Sequence, residues 1–127
     1  MGIRTLRTLN AAPVTPAEFH ILLALADVDR HGYGLMQQVA ADSGGAVQLG
    51  PGTLYGAIKR LLEYEYIREV ESRIDPALDD ARRKYYRLTT TGRAAVVTEA
   101  ERLAQLVRIA RARHVIGAQT TAHGDRS

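Results

Sequence analysis

The segment from Gly50 to Leu62 constrains the fold most, because it joins a helix start to a strongly two-faced helix. Pro51 suits the first helical position, where its missing N–H and fixed φ are tolerated. Four apolar side chains share one face at helical spacing: Leu54, Ile58, Leu61 and Leu62. The opposite face carries Thr53, Gly56, Lys59, Arg60 and Glu63, with Tyr55 at its border. The pattern predicts helix 3, from Pro51 to about Tyr64, with one buried face and one polar, basic face.

Two alternating segments follow and predict an antiparallel hairpin. Residues 66–73 and 83–88 alternate as strands with one buried face do. The turn-rich, acidic segment from Asp75 to Asp80 lies between them and predicts a long loop. The basic residues of the hairpin include Arg73, Arg82, Arg83, Lys84 and Arg87.

Two shorter helices are expected before this region. Thr15, Pro16 and Glu18 have the residue types and spacing of a capping box, which predicts helix 1 from there to about Asp27. Turn residues at 31–34 then precede helix 2, which is expected to run roughly from residue 34 to residue 43. Residues 47–49 are short and alternating, and predict a small strand.

Helix 4 is expected to follow Thr89, which can cap it, and to extend to about Val115. Its apolar residues repeat at alternating spacings of four and three, as along a coiled-coil seam, and helix 1 is apolar nearly all round. So small a chain does not cover both surfaces, which predicts a two-fold dimer; simple packing within one chain is the alternative. The predicted dimer-interface residues are Phe19, Leu22, Leu23, Val96, Ala100, Leu103, Val107 and Ala110.

Composition excludes several classes of protein. The chain has 127 residues and no cysteine, so one domain is expected, without disulfides, thiolate metal sites or thiol catalysis. The four histidines are scattered without metal-ligand spacing, and no catalytic or phosphate-binding motif is present. We therefore expect no enzyme, no cofactor and no metal. No segment is long and apolar enough for a membrane span or a secretory signal, so a cytoplasmic location is expected.

A short polar-faced helix beside a basic hairpin is the layout of a winged helix-turn-helix, and at this point the chain resembles the PadR family of bacterial transcriptional regulators. The resemblance covers about residues 17–107. The matching pieces are His31-Gly32-Tyr33-Gly34-Leu35, Gly50-Pro51-Gly52-Thr53-Leu54-Tyr55, Lys59-Arg60-Leu61 and the run from Arg83 to Gly92. The single C-terminal helix is similar to that of the short PadR subclass. One position departs from the family: Glu65 stands where a glycine usually follows helix 3, which predicts a strained or altered exit toward the wing.

The fold class implied is mainly α with a small β-hairpin: a winged helix-turn-helix plus a long C-terminal dimerisation helix. The expected organisation is a flexible arm over 1–13, a DNA-binding domain over 14–90, the dimerisation helix over 91–116 and a disordered tail over 117–127.

The candidate DNA contacts lie on helix 3, at the start of helix 2 and on the wing. A reading helix needs a polar face, with small residues where its backbone approaches DNA. The resemblance adds a tyrosine at the start of helix 3 that contacts a phosphate, and a helix start offers N–H groups to phosphates. The acidic tip of the wing argues against its own insertion. The predicted contacts are Tyr33, Gly34, Thr53, Tyr55, Gly56, Lys59, Arg60, Arg73, Arg82, Arg83 and Lys84.

The function predicted is a sequence-specific, DNA-binding transcriptional regulator, a repressor more often than not in the family, that binds a palindromic operator as a homodimer. The net charge of +3 permits a polyanionic partner without demanding one. The resemblance also implies a small hydrophobic or aromatic effector, with Phe19, Leu22, Leu23, Leu103 and Val107 as candidate lining or as closed core. Two alternatives remain: a winged-helix dimerisation or protein-interaction module that binds no operator, and a small-molecule-binding protein or enzyme that uses the dimer cavity.

Overall fold

The computed structural model describes residues 14–71 and 84–117. The elements, in chain order, are α1 (Pro16–Ala24), β1 (Arg30–His31), α2 (Gly32–Asp42), α3 (Pro51–Glu63), β2 (Ile67–Val70), β3 (Tyr85–Leu88) and α4 (Thr90–Ala112). The chain divides into two compact units, Met1–Val96 and Val97–Ser127. The predicted class, mainly helical with a small β component, is confirmed.

The first unit is built around helices whose starts are fixed locally. The capping box predicted for α1 is present: the Thr15 hydroxyl accepts the Glu18 N–H at 3.1 Å, and Glu18 Oε1 accepts the Thr15 N–H at 2.9 Å.

The core side chains are almost entirely aliphatic: Ile21, Leu22, Leu25, Leu35, Val39, Leu54, Ile58, Leu61, Ile67 and Val96. Burial of such side chains is the main contribution to the stability of a small domain.

The described residues form a three-stranded sheet in the order β1-β3-β2, with both pairs antiparallel. β3 lies in the middle. Tyr86, on one face, belongs to the hydrophobic core, and Tyr85, on the opposite face, packs against the His31 ring with the centroids 5.2 Å apart. The predicted hairpin is confirmed where it is described, with Ile67 opposite Leu88. Its acidic tip lies outside the described residues.

The predicted small strand at residues 47–49 is wrong. The Ser43 hydroxyl accepts the Val47 N–H at 2.9 Å and contacts the Val47 carbonyl at 3.3 Å, so a side chain binds the groups that a strand would offer to a neighbour. The third strand is instead β1, before α2, and α2 accordingly begins at Gly32, two residues earlier than predicted.

The exit from α3 keeps left-handed geometry in spite of Glu65. This residue has φ of 63°. The Tyr66 N–H donates to the Leu61 carbonyl and the Glu65 N–H to the Leu62 carbonyl, each at 3.0 Å, which is the Schellman pattern. The strain predicted for a non-glycine residue here is therefore present, and the altered exit is not.

α4 begins against the backbone of this exit, and we call the contact the α4 junction (Glu65, Tyr66, Thr89 and Gly92). The Thr89 hydroxyl accepts the Gly92 N–H at 2.9 Å, as expected of a cap, and donates to the Glu65 carbonyl at 2.7 Å. A Cβ at position 92 would overlap the Tyr66 carbonyl oxygen. Glycine is therefore required for α4 to start at this place.

The second unit, from Val97, contains the remainder of α4. Several apolar side chains on it are exposed: Val97, Leu103, Leu106, Val107, Val115 and Ile116. The helix ends at Ala112, three residues before the predicted end, with His114 in a left-handed conformation.

Candidate nucleic-acid interface

The polar face predicted for helix 3 is the exposed face of α3. Thr53 and Lys59 are exposed there, and Lys59 forms no ion pair with any part of the chain that the structure describes. The nearest atom to a Cβ at Gly56 would be Arg60 Nη1 at 3.8 Å, an ordinary contact. No packing within the described chain therefore requires glycine at this mid-helix position.

Arg60 is on the same face, but it has a partner inside the protein. Its Nε donates to Glu18 Oε2 at 2.7 Å, and the Glu18 side chain is only 2% exposed whereas that of Arg60 is 47% exposed. This hydrogen bond raises the pKa of the Arg60 guanidinium. Arg60 thus has a structural contact that the sequence did not predict, and it keeps an exposed end.

Tyr55 links the starts of α3 and α2. A Cβ at Gly32 would overlap the Tyr55 hydroxyl, so glycine at the first residue of α2 lets the phenol lie against that helix. Tyr55 is nevertheless 49% exposed and Tyr33 is 60% exposed. The structure therefore brings together two of the predicted contact regions, with a tyrosine on each.

The start of α2 differs from the prediction at Gly34. The N-cap residue is His31, and its Nδ1 accepts the Gly34 N–H at 3.1 Å. The Gly34 N–H is therefore not free for a phosphate, and a contact through this group requires His31 to give way.

Two basic residues of the hairpin, Lys84 and Arg87, are paired with acids. Lys84 Nζ lies 3.6 Å from Glu69 Oε2, and Arg87 donates to both oxygens of Asp29, with its Nη2 2.8 Å from Oδ2. The hydrogen bond from Arg87 lowers the pKa of the Asp29 carboxyl. Three predicted wing contacts, Arg73, Arg82 and Arg83, lie outside the described residues.

Sequence reasoning missed Arg68 as a basic residue of this surface. It is exposed on β2, directly opposite Arg87, and it has no ion pair among the described residues. Like charges opposite each other on a sheet repel, and Asp29 compensates the charge of Arg87. The alternation of β2 was the available signal, because it places residue 68 on the solvent side.

The predicted dimer residues fall into buried and exposed groups. Leu22 is fully buried and Val96 is 5% exposed, so both belong to the core of the protomer and offer no surface to a partner. Phe19 is partly buried against that core, and Leu23 is 40% exposed. On the second unit, Leu103 and Val107 are 36% and 41% exposed, and Ala100 and Ala110 are partly exposed.

The described residues also bear on other kinds of site. An open groove is lined by Leu62, Glu65, Ile67, Arg68, Glu69, Arg87, Leu88, Thr89, Thr90 and Thr91, and it includes none of the predicted effector-lining residues. Within residues 14–71 and 84–117, no three acidic or histidine side chains are grouped as metal ligands would be. No described helix combines the length and hydropathy that crossing a membrane requires.

Comparison with known proteins places these features in one family. The model of the family described as "Transcriptional regulator PadR-like family" matches residues 21–98. The transcriptional regulator Rv3488 of Mycobacterium tuberculosis is 35% identical over 106 residues, which cover 84% of this chain and 88% of that protein. The crystal structure of a PadR family transcription regulator from Clostridium difficile is similar with a TM-score of 0.65 and 25% identity, covering 76% of this chain and 96% of that one.

Two further curated relatives are matched over only part of their length. An uncharacterised protein of a Streptomyces fradiae transposon is 36% identical over 90 residues, which cover 71% of this chain and 24% of that protein. The chain spans 65% of an uncharacterised relative from Lysinibacillus sphaericus.

Proposed function

Because this chain belongs to the PadR-like family of transcriptional regulators, we propose that it represses transcription by binding a palindromic operator as a homodimer, with α3 in the major groove. Members of this family are DNA-binding regulators and not enzymes, so the prediction that the chain has no enzymatic activity is confirmed by its membership.

The observation that supports this function best is the polar face of α3. Lys59 is exposed there without an acidic partner among the described residues. Gly56, one helical turn before Arg60, has no side chain to cover the helix backbone. A cation without a partner contacts a phosphate or base edge without first giving up an ion pair. Because packing does not require glycine at position 56, we attribute this residue to close approach of the α3 backbone to DNA.

The exposed apolar side chains of the second unit support the homodimer. Leu103, Leu106 and Val107 lie within five residues on one helix and are each more than a third exposed. A second copy of α4 provides a matching apolar surface, and a two-fold dimer presents its two α3 helices to half-sites about one helical turn apart.

A small hydrophobic or aromatic effector fits this arrangement as a ligand that favours one spacing of the two α3 helices over another. Leu22 is excluded from lining its site, because it has no exposed surface. Phe19, Leu23, Leu103 and Val107 are not fully buried and remain as candidates. Replacement of Leu23 by alanine should weaken effector-dependent release of DNA.

The test is a titration of purified protein against DNA from directly upstream of its own gene, across a range of salt concentrations. We expect salt-dependent binding with one protected palindromic site, because phosphate contacts release counterions. Lys59→Ala should weaken binding about ten-fold or more and lower the salt slope by about two, because the homodimer loses one phosphate contact in each subunit.

Lys84→Ala is the matched control, because it removes the only other lysine, which is paired with Glu69. It should weaken binding less than Lys59→Ala. Unchanged affinity in Lys59→Ala, with the dimer intact, would refute the placement of α3. Weak, sequence-independent binding together with a failed selection of genomic fragments would favour the protein-interaction module.

A further inference from the structure

The contact between Glu18 and Arg60 joins α1 to the face of α3 that the proposed function assigns to DNA. The two residues are 42 positions apart, and their side chains meet at 2.7 Å. Glu18 is 1% exposed, the only charged residue that is buried among those the structure describes. A buried carboxylate must be matched by donors, and Glu18 has two: the Thr15 N–H on Oε1 and Arg60 Nε on Oε2.

In this geometry the Nε end of the Arg60 guanidinium is bound to Glu18 and the Nη1 end is not. Nε is engaged by the buried carboxylate, and Nη1 is 3.8 Å from the position of a Cβ at Gly56. The Nη1 end of the fork therefore lies beside the residue of α3 that has no side chain. An arginine that is free in solution loses considerable rotamer entropy when it binds.

We propose that Glu18 is a positioning residue for DNA recognition, which holds the Arg60 guanidinium over Gly56 in the orientation that meets a phosphate or base edge. The inference rests on the proposed function and adds to it a residue that does not itself touch DNA. The entropy of ordering Arg60 is lost when the protein folds and not when it binds, so affinity gains accordingly.

The proposal and a purely electrostatic account predict opposite signs for one variant. Glu18→Gln removes a negative charge close to α3, which by charge alone should tighten binding to DNA. Glutamine preserves the capping box, so α1 keeps its start, but its amide N–H₂ cannot accept the Arg60 Nε–H. If Glu18 positions Arg60, binding should weaken about two- to twelve-fold per half-site, corresponding to about 0.5–1.5 kcal/mol for the one side chain left to be ordered in each subunit.

The experiment measures affinity for the tightest duplex that the wild-type protein selects from a randomised DNA pool, well below the unfolding temperature. It compares wild type, Glu18→Gln, Arg60→Ala and the double variant. We expect Glu18→Gln to weaken binding in the wild-type background and to have no further effect in Arg60→Ala. A merely structural role for Glu18 would change stability in both backgrounds and affinity in neither.

Two more variants keep the test decisive. Glu63→Gln is the charge control, because Glu63 raises the pKa of Arg60 through its charge and without a hydrogen bond; it should leave binding unchanged or tighten it. Arg60→Lys keeps the charge but lacks the fork, so it should weaken binding as Glu18→Gln does even if the latter folds poorly.

Wild-type affinity in Arg60→Lys, or tighter binding by Glu18→Gln, overturns the positioning role while the regulator function stands, provided that Lys59→Ala still weakens binding. A wild-type protein that selects no duplex overturns the proposed function, and this inference with it.

Discussion

The outward face of α3 and the α4 junction both contain polar side chains and a glycine, but these residues serve different purposes in the two regions. At the junction, Thr89 makes hydrogen bonds in both directions and Gly92 is required by the Tyr66 carbonyl. On α3, Lys59 has no partner in the described chain and nothing within it requires Gly56 to be glycine. The fold accounts for the identities at the junction. The fold does not account for the identities of Gly56 and Lys59 on α3, so these residues point to a binding partner.

The largest effect should come from Gly92→Ala. The added Cβ meets the Tyr66 carbonyl oxygen, which is backbone and cannot rotate away, so α4 must shift at its start. We expect a loss of about 3 kcal/mol in the free energy of unfolding, at the upper end for overpacking a close contact. Urea unfolding measures it. A loss below about 1 kcal/mol would show that the junction yields more easily than its geometry indicates.

The same substitution at Gly56 should have the opposite effect on stability. Space is open there, and alanine favours a helix interior over glycine by about 0.5–1 kcal/mol. Gly56→Ala should therefore be more stable than wild type and bind operator DNA more weakly, because its Cβ keeps the α3 backbone from DNA. Urea unfolding and a DNA titration on the same preparation check both. Undiminished affinity would assign this glycine no function in DNA approach.

Glu65→Gly should stabilise the protein by about 0.5–1 kcal/mol. The substitution removes the strain of a non-glycine residue in the left-handed conformation, which is about 1–2 kcal/mol. Glycine loses more backbone entropy on folding, and this offsets part of the gain. Glu63→Gly, two residues earlier and still helical, is the matched control and should destabilise by up to about 1 kcal/mol. If both variants lose stability in urea, the strain at Glu65 is compensated by its surroundings.

The smallest effect is expected at the Asp29–Arg87 pair beside the junction. Both side chains are substantially exposed, at 33% and 46%, so screening by solvent keeps the contribution of the pair to stability small. The pKa of Asp29 is lowered below its ordinary value of 3.8, so the stabilisation is fully present above that pH and is lost as pH falls through the folded-state pKa. Unfolding of wild type and Asp29→Asn should therefore differ at neutral pH and converge in acid. A difference that persists in acid would mean that the pair does not act through ionised Asp29.

Local signals in the sequence were sufficient for much of the fold. The capping box at Thr15 and Glu18 and the cap at Thr89 depend on residues three positions apart, and each was predicted. β1 was missed because two residues carry no periodicity, and only pairing with the distant β3 makes them a strand. The strand predicted at residues 47–49 failed because the Ser43 hydroxyl accepts the Val47 N–H, which a strand would offer to a neighbouring strand.

The sequence predicted which residues of the candidate site share a helix face, but it did not predict their ion pairs. Helical spacing placed Thr53, Gly56 and Lys59 together on the exposed side of α3, where the structure has them. The pairing of Arg60 with Glu18 joins residues far apart in the chain, and no local pattern encodes it. The assignment of Leu22 to a dimer surface failed for a related reason: an all-round apolar helix does not reveal which side its own chain will cover.

The strand order β1-β3-β2 has a consequence for how the first unit folds. Its middle strand is the last of the three in the chain, and it pairs with β1, which precedes α2, and with β2, its neighbour in the wing. Until residues 85–88 dock, the chain has formed neither its three-stranded sheet nor the cover that Tyr86 gives its core. Helices α1 to α3 can therefore collapse early, but the final cooperative step must wait for a contact between distant segments. The folding rate should accordingly be slower than that of a simple helical bundle of this size.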